Sequence, residues 1–222
     1  MTLSFSHAHS VRSRLVVLSD RRPAPGAPRT GLESAIERAL REHDGVWMVR
    51  RAETGSELGP GDPGERWSML DGANTPSMDD WAGYVRANAS YAERIIEVIH
   101  PGGTVWVHGQ RWLLVASALR GYGHRGPIGL SLDVPFPPPA RLETLPWYAD
   151  VMGALCQLDL LGLRSPQCAD HFDACHARAG RIRPRLEVVP DGATSTDWVT
   201  SFLALLDTVA RRETRRELEE PA

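Results

Sequence analysis

The sequence predicts an α/β fold, a Rossmann-like sandwich around a mostly parallel sheet. Three observations predict it. Short apolar runs of strand length recur at residues 14–18, 45–49, 105–107, 128–134, 158–163 and 185–189. Between them lie longer segments whose apolar residues fall on one helical face. This alternation of strand and helix is the pattern of parallel βαβ units. The 222 residues suit one such domain with appendages and suffice to bury a core, but they are too few for two Rossmann domains.

In chain order, residues 1–13 are polar and rich in His and Ser, without the apolar run of a secretory signal, and are expected to be disordered. Residues 14–18 (RLVVL) form a first buried strand, with Ser19, Asp20, Arg21 and Arg22 at its carboxyl end. The next loop is rich in Pro and Gly. A helix then begins near Thr30, whose hydroxyl and Glu33 make a capping-box pattern, and Leu32, Ala35, Ile36, Ala39 and Leu40 form its apolar face. Residues 45–49 (GVWMV) make a short strand. Residues 53–77 are aperiodic and rich in Gly, Pro, Asp and Glu, the signature of a functional or mobile surface loop. A long helix over 78–99 follows. Its face carries Trp81, Tyr84, Val85, Tyr91, Ala92, Ile95, Ile96 and Ile99, and the run His100-Pro101-Gly102-Gly103 stops it.

Residues 104–146 are the stretch around which the rest is organised. Strands at 105–107 and 128–134 flank a helical stretch at 112–119, and in open parallel sheets ligands gather beyond the carboxyl ends of strands. Those ends carry His108 and Asp133. The proline run 135–139 is extended, 147–156 is helical, and 158–163 (LDLLGL) is a strand. Pro166 and Gly180 frame a further helix. The strand 185–189 ends at Asp191-Gly192. A last helix from Thr196 presents Trp198, Val199, Phe202, Leu203, Leu206 and Val209 as an apolar stripe.

The net charge of −3, with both signs interspersed, gives no electrostatic case for nucleic acid or an anionic membrane surface. No run approaches the ~18 apolar residues of a membrane span. The expected location is the cytoplasm, and the odd number of cysteines, Cys156, Cys168 and Cys175, fits reduced thiols there. Every basic residue other than histidine is arginine, which excludes Schiff-base chemistry and a P-loop lysine.

Asp20, Arg21, Arg22, His108, Arg111 and Asp133 converge if the first strand and the two central strands are neighbours. They then form either an anion pocket with proton-moving groups or ordinary solvated strand ends. The loop before the first helix, with Gly26 and Gly31, fits either a phosphate on free backbone N–H groups or a plain capped helix. Cys168, His171 and Cys175 share a helix face; with no C-x-x-C pair, core packing of the cysteines is expected rather than a metal site.

Several segments resemble the trehalose-6-phosphate synthases of glycosyltransferase family 20: RLVVLSDRRP, TGLESAIERAL followed by GVW, WAGYVRANASYAERI, VWVHGQRWLL, IGLSLDVPFPPP and LPWYADVMGALCQLDLLGL. They occur in the family's order and cover most of residues 14–192. The resemblance implies a GT-B architecture of two Rossmann domains, with glucose 6-phosphate held mainly by the first and a nucleotide sugar by the second. It also implies retention of configuration and neither metal nor cofactor. Arg21, with Arg22 beside it, stands where the family's Ser-Asn-Arg motif places an arginine on the acceptor phosphate, and Gly31 stands at the second glycine of the Gly-Gly-Leu donor loop.

Other positions depart from the family. His108-Gly109-Gln110-Arg111 replaces His-Asp-Tyr-His, so the acceptor-binding carboxylate is missing. Leu132-Asp133-Val134-Pro135-Phe136-Pro137 replaces Leu-His-Ile-Pro-Phe-Pro, exchanging a histidine near the reacting sugar for an acid. After Pro190 the donor half is missing, and with it the Arg…Lys pair for the diphosphate.

The expected organisation is a disordered 1–13, a Rossmann-like domain over 14–192, a C-terminal helix over 193–212 packing on it, and a charged tail over 213–222. The expected function is that of an acceptor-side domain, a pseudoenzyme inactive as an isolated chain. It would bind a sugar phosphate such as glucose 6-phosphate through Arg21 and Arg22, or serve as partner of a full-length synthase. The alternatives are an active glucosyltransferase from NDP-glucose, its donor half supplied by another subunit or by a homo-oligomer and with His108 and Asp133 as acid/base groups, and a purely structural interaction module.

Overall fold

The structure, a computed structural model, describes residues 12–20, 31–49, 77–132, 134–179, 182–188, 199–204 and 208. Six strands build its sheet: β1 (Ser13–Ser19), β2 (Val46–Val49), β3 (Ile99–His108), β4 (Ile128–Ser131), β5 (Leu160–Leu163) and β6 (Arg185–Val188). Their order is β2-β1-β3-β4-β5-β6, and every neighbouring pair is parallel. The helices are α1 (Gly31–Glu42), α2 (Met78–Val98), α3 (Val115–Gly121), α4 (Pro139–Leu142), α5 (Tyr148–Leu155) and α6 (Pro166–Ala179).

Strand periodicity divides the core into two layers, since successive side chains point to opposite faces of a sheet. In β1, Val16 and Leu18 join one apolar cluster while Leu15 and Val17 join the other. In β3, Val105 and Val107 enter the first and Trp106 the second. Helices α2, α3, α5 and α6 close the first layer with Ile95, Val115, Val151 and Phe172. The second layer holds Ile36 of α1 together with Val199 and Phe202 of the helical residues 199–204. Phe202 lies 5.5 Å from Trp106, ring to ring, and Arg38 donates to the Thr200 hydroxyl at 2.8 Å.

Several expectations meet corrections. Ser77, the last residue of the expected loop, is the N-cap of α2, and its side chain and Asp80 form a capping box that the sequence reading did not include. Val85 is 40% exposed, whereas Asn88, a polar residue not counted among the expected apolar ones, is 1% exposed. Ile99 leaves the helix and opens β3, so His100-Pro101-Gly102-Gly103 is part of a strand that bulges where β1 pairs with it. The helix after β3 begins as a single 3-10 turn, Gln110–Trp112, and becomes α-helical only at Val115. The proline run ends in the short helix α4, with Pro139 in its first turn, where a missing N–H is harmless. The first-helix cap at Thr30, the loop through residue 76, and the 1–11 and 209–222 ends lie outside the described residues, as do most of the expected C-terminal helix positions.

Cys168 and Cys175 are 5% and 0% exposed within the first core layer, and burial pushes the Cys175 thiol up to about 11. Their neighbour His171 lies 3.1 Å by its Nδ1 from the Phe136 carbonyl. The pair therefore packs as small apolar residues.

Candidate functional site

The chain leaves β1 toward β2 on one side and returns to β3 on the other, so the strand order reverses between β1 and β3. The crevice above such a reversal is where open parallel sheets hold ligands, because the loops from the two carboxyl ends diverge there. From β1 it receives Ser19 and Asp20; from β3 it receives His108 and the turn through Gln110 and Arg111.

Two of the expected groups meet. Arg111 Nε lies 2.9 Å from Asp20 Oδ2, with the arginine side chain 20% and the aspartate 29% exposed. His108 faces elsewhere. Its register partner is Ser131 of β4, and its Nδ1 is 2.8 Å from the Ser131 hydroxyl, which also accepts the Trp106 indole N–H at 3.0 Å. That hydroxyl is buried, and it orients an imidazole that itself stays half-buried. Gly31 opens α1, as expected of the helix start. Arg21, Arg22 and Asp133 lie outside the described residues.

The turn carrying Arg111 is set by backbone chemistry. Gly109 has φ 104° and ψ 155°, a conformation that a Cβ makes very costly, and its N–H donates to the Ser131 carbonyl at 2.9 Å. An aspartate in place of Gly109 would have to adopt this strained backbone or rebuild the turn. The acid of the His-Asp-Tyr-His pattern is thus replaced by a turn that only glycine adopts easily.

Helix α2 then moors the turn, through two residues that the sequence pattern did not single out as a site. The Tyr84 hydroxyl donates to the Gln110 carbonyl and accepts the Leu113 N–H, each at 3.0 Å. Asn88 donates to the Arg111 carbonyl at 3.0 Å and accepts the Leu114 N–H at 3.1 Å. Burial raises the Tyr84 pKa well above the ordinary tyrosine value, against the Leu113 amide and Asn88, so its hydroxyl keeps its proton. The signal for Asn88 was present: a lone amide one helical turn after Tyr84, within an apolar stripe. Asn88→Ala is expected to lower stability by about 2 kcal/mol, because it orphans two backbone groups in a buried turn. Urea unfolding checks this, and a loss under about 0.5 kcal/mol would mean the turn finds other partners.

Geometry of this kind provides a guanidinium held beside a carboxylate in the crevice, with a half-buried imidazole at the end of β3 turned toward Ser131. It suits recognition of a small anion and, through His108, movement of a proton.

The family model described as glycosyltransferase family 20 matches residues 69–201. The trehalose-6-phosphate synthase of Klebsiella pneumoniae is 31% identical over 187 residues, which covers 69% of this chain and 39% of the relative. That of Sinorhizobium fredii is 28% identical over 208 residues, covering 76% of this chain and 44% of the relative. The crystal structure of the α,α-trehalose 6-phosphate synthase of Burkholderia multivorans superposes with a TM-score of 0.66 at 25% identity, over 80% of this chain and 48% of that one. The chain therefore spans less than half the length of each of these relatives.

Proposed function

The chain belongs to glycosyltransferase family 20, and from that premise we propose that it is a trehalose-6-phosphate synthase-like acceptor-side domain that binds a sugar phosphate without transferring glucose unaided. The observation that supports this reading is the β1/β3 crevice, where Arg111 is held against Asp20 while Gly109 stands where the family pattern has its aspartate. A phosphate needs a guanidinium held in position, and Arg111 is so held, with Arg21 and Arg22 next in sequence to Asp20. Glucosyl transfer needs more. Stabilising a leaving diphosphate is commonly the largest catalytic contribution, with single donors worth ~3 kcal/mol, and the sequence supplies no lysine for it.

Isothermal titration with glucose 6-phosphate tests the reading. Saturable heat is expected from the parent protein, and Arg21→Ala should weaken binding at least about tenfold, the usual worth of a charge-assisted phosphate contact. A parent protein giving no heat would end it. A full-length synthase or a second copy of the chain is the expected partner. The domain is proposed to comprise residues 14–192, with the C-terminal helix docked beside α1, and to work in the cytoplasm.

A second reading has one observation in its favour. His108 is oriented by Ser131 and half-buried, as a general acid or base requires. In that reading the protein is an active glucosyltransferase from NDP-glucose to glucose 6-phosphate, with Asp133 as the other acid/base group and the donor half supplied by another subunit. Sustained release of NDP from UDP- or GDP-glucose by the purified protein, with glucose 6-phosphate present, would replace the first reading with this one.

A further inference from the structure

We propose that Arg111 is a phosphate-binding residue of the β1/β3 crevice, and that Asp20 is its internal counter-anion, which an incoming phosphate must displace or tolerate. The inference deepens the sugar-phosphate reading and rests on it.

The ion pair is made by one nitrogen and one oxygen, Arg111 Nε and Asp20 Oδ2, at 2.9 Å. A guanidinium has five N–H donors in a planar fork, and it binds phosphate best through two of them at once. Among the described residues the Arg111 side chain makes no other hydrogen bond or ion pair, so its terminal amino groups are available to an acceptor. The pair is sheltered yet reachable, at 20% and 29% exposure. Its arginine is also preorganised, since Asn88 holds the Arg111 carbonyl and Tyr84 the Gln110 carbonyl immediately before it. A site already ordered before binding loses less conformational entropy on binding.

Asp20 gives the proposal its sign. A phosphate on Arg111 comes close to the Asp20 carboxylate, and two anions a few ångströms apart in a half-buried crevice repel strongly. Whether phosphate takes over the Nε donor or sits on the terminal amino groups, the carboxylate opposes it. Removing that charge while keeping the side chain's size should tighten binding, the opposite of what breaking a merely structural ion pair would do.

Titration calorimetry at low ionic strength, with glucose 6-phosphate in one arm and inorganic phosphate in the other, tests this on the parent, Asp20→Asn, Asp20→Ser and Arg111→Gln. The expected result is affinity for glucose 6-phosphate about five- to tenfold tighter in both Asp20 variants, and at least about tenfold weaker in Arg111→Gln, with both effects shrinking as salt is added. Heat from inorganic phosphate that follows the same order would place the recognition in the phosphate group alone; heat from the sugar phosphate only would add a sugar contact to the same site. Thermal midpoints recorded alongside separate folding from binding. A parent that binds glucose 6-phosphate, with Asp20 variants that bind it equally or more weakly, would overturn the role of Asp20 and leave the sugar-phosphate reading standing. Unchanged affinity in Arg111→Gln would do the same for Arg111. Absence of heat from the parent and from every variant would overturn the sugar-phosphate reading itself.

Discussion

Replacing Asp159 with alanine is expected to remove about 4 kcal/mol of stability, the scale seen when one member of a buried ion pair is deleted. Asp159 sits at the amino end of β5, on the side of the sheet opposite the crevice. Its carboxylate accepts the Ile128 N–H at 2.6 Å and Arg120 Nη2 at 2.9 Å, with the aspartate side chain 10% and the arginine 16% exposed. Arg120 in turn donates to the carbonyls of His124 and Gly126 at 3.1 and 2.8 Å, tying the loop between α3 and β4 to the start of two strands. Burial raises the Asp159 pKa, and the Ile128 N–H and Arg120 offset only part of that desolvation cost. Alanine would leave Arg120 charged and half-buried beside an unpaired amide. Asp159→Asn, which keeps an acceptor for Ile128, should cost roughly half as much. Urea unfolding of both variants decides the matter, and an alanine variant within about 1 kcal/mol of the parent would show that the knot carries little.

Acidification provides the second large effect. His124 is 3% exposed, and its Nε2 has no hydrogen-bond partner among the described residues. Burial lowers its pKa to about 4; Arg120 acts in the same sense and the Gly103 backbone in the opposite one. Between its unfolded value near 6.5 and about 4, the unfolded chain takes up a proton that the folded chain refuses. Stability is therefore fully present above pH 6.5 and lost as pH falls toward 4, by up to about 3 kcal/mol. His124→Gln, neutral and of similar reach, should flatten the stability profile over this window by that amount. Parallel profiles for parent and variant, measured by unfolding at successive pH values, would refute it.

Much of the fold was legible because strands and helices bury one face at a fixed period. RLVVL reads as a strand whose neighbours alternate between two cores, and Leu15 and Val17 do face the opposite layer from Val16 and Leu18. All six expected strands form, with their ends moved by a few residues, since end positions depend on caps and neighbours rather than on period. Val85 shows how period alone misleads: it lies on the edge of the apolar stripe of α2 and stays 40% exposed. Asn88 shows the reverse, a polar residue buried because a turn distant in sequence offers it backbone partners.

The site was half legible. His108, Asp20 and Arg111 could be placed at strand ends from the chain alone, because strand ends follow from where apolar runs stop. Their pairing could not, since it depends on which strand lies beside which.

The amino-acid sequence by itself determined the α/β class, the number of strands and their places along the chain, the family likeness and the glycine at position 109 where the family pattern has an aspartate. These follow from local apolar periodicity and from residue identity, which need no knowledge of contacts distant in sequence. Only the tertiary structure decided that the strand order reverses between β1 and β3, that Arg111 turns to Asp20 while His108 turns to Ser131, and that α2 holds the turn between them. Such contacts join residues tens of positions apart, and their free energy exists only once the sheet has brought the strands together.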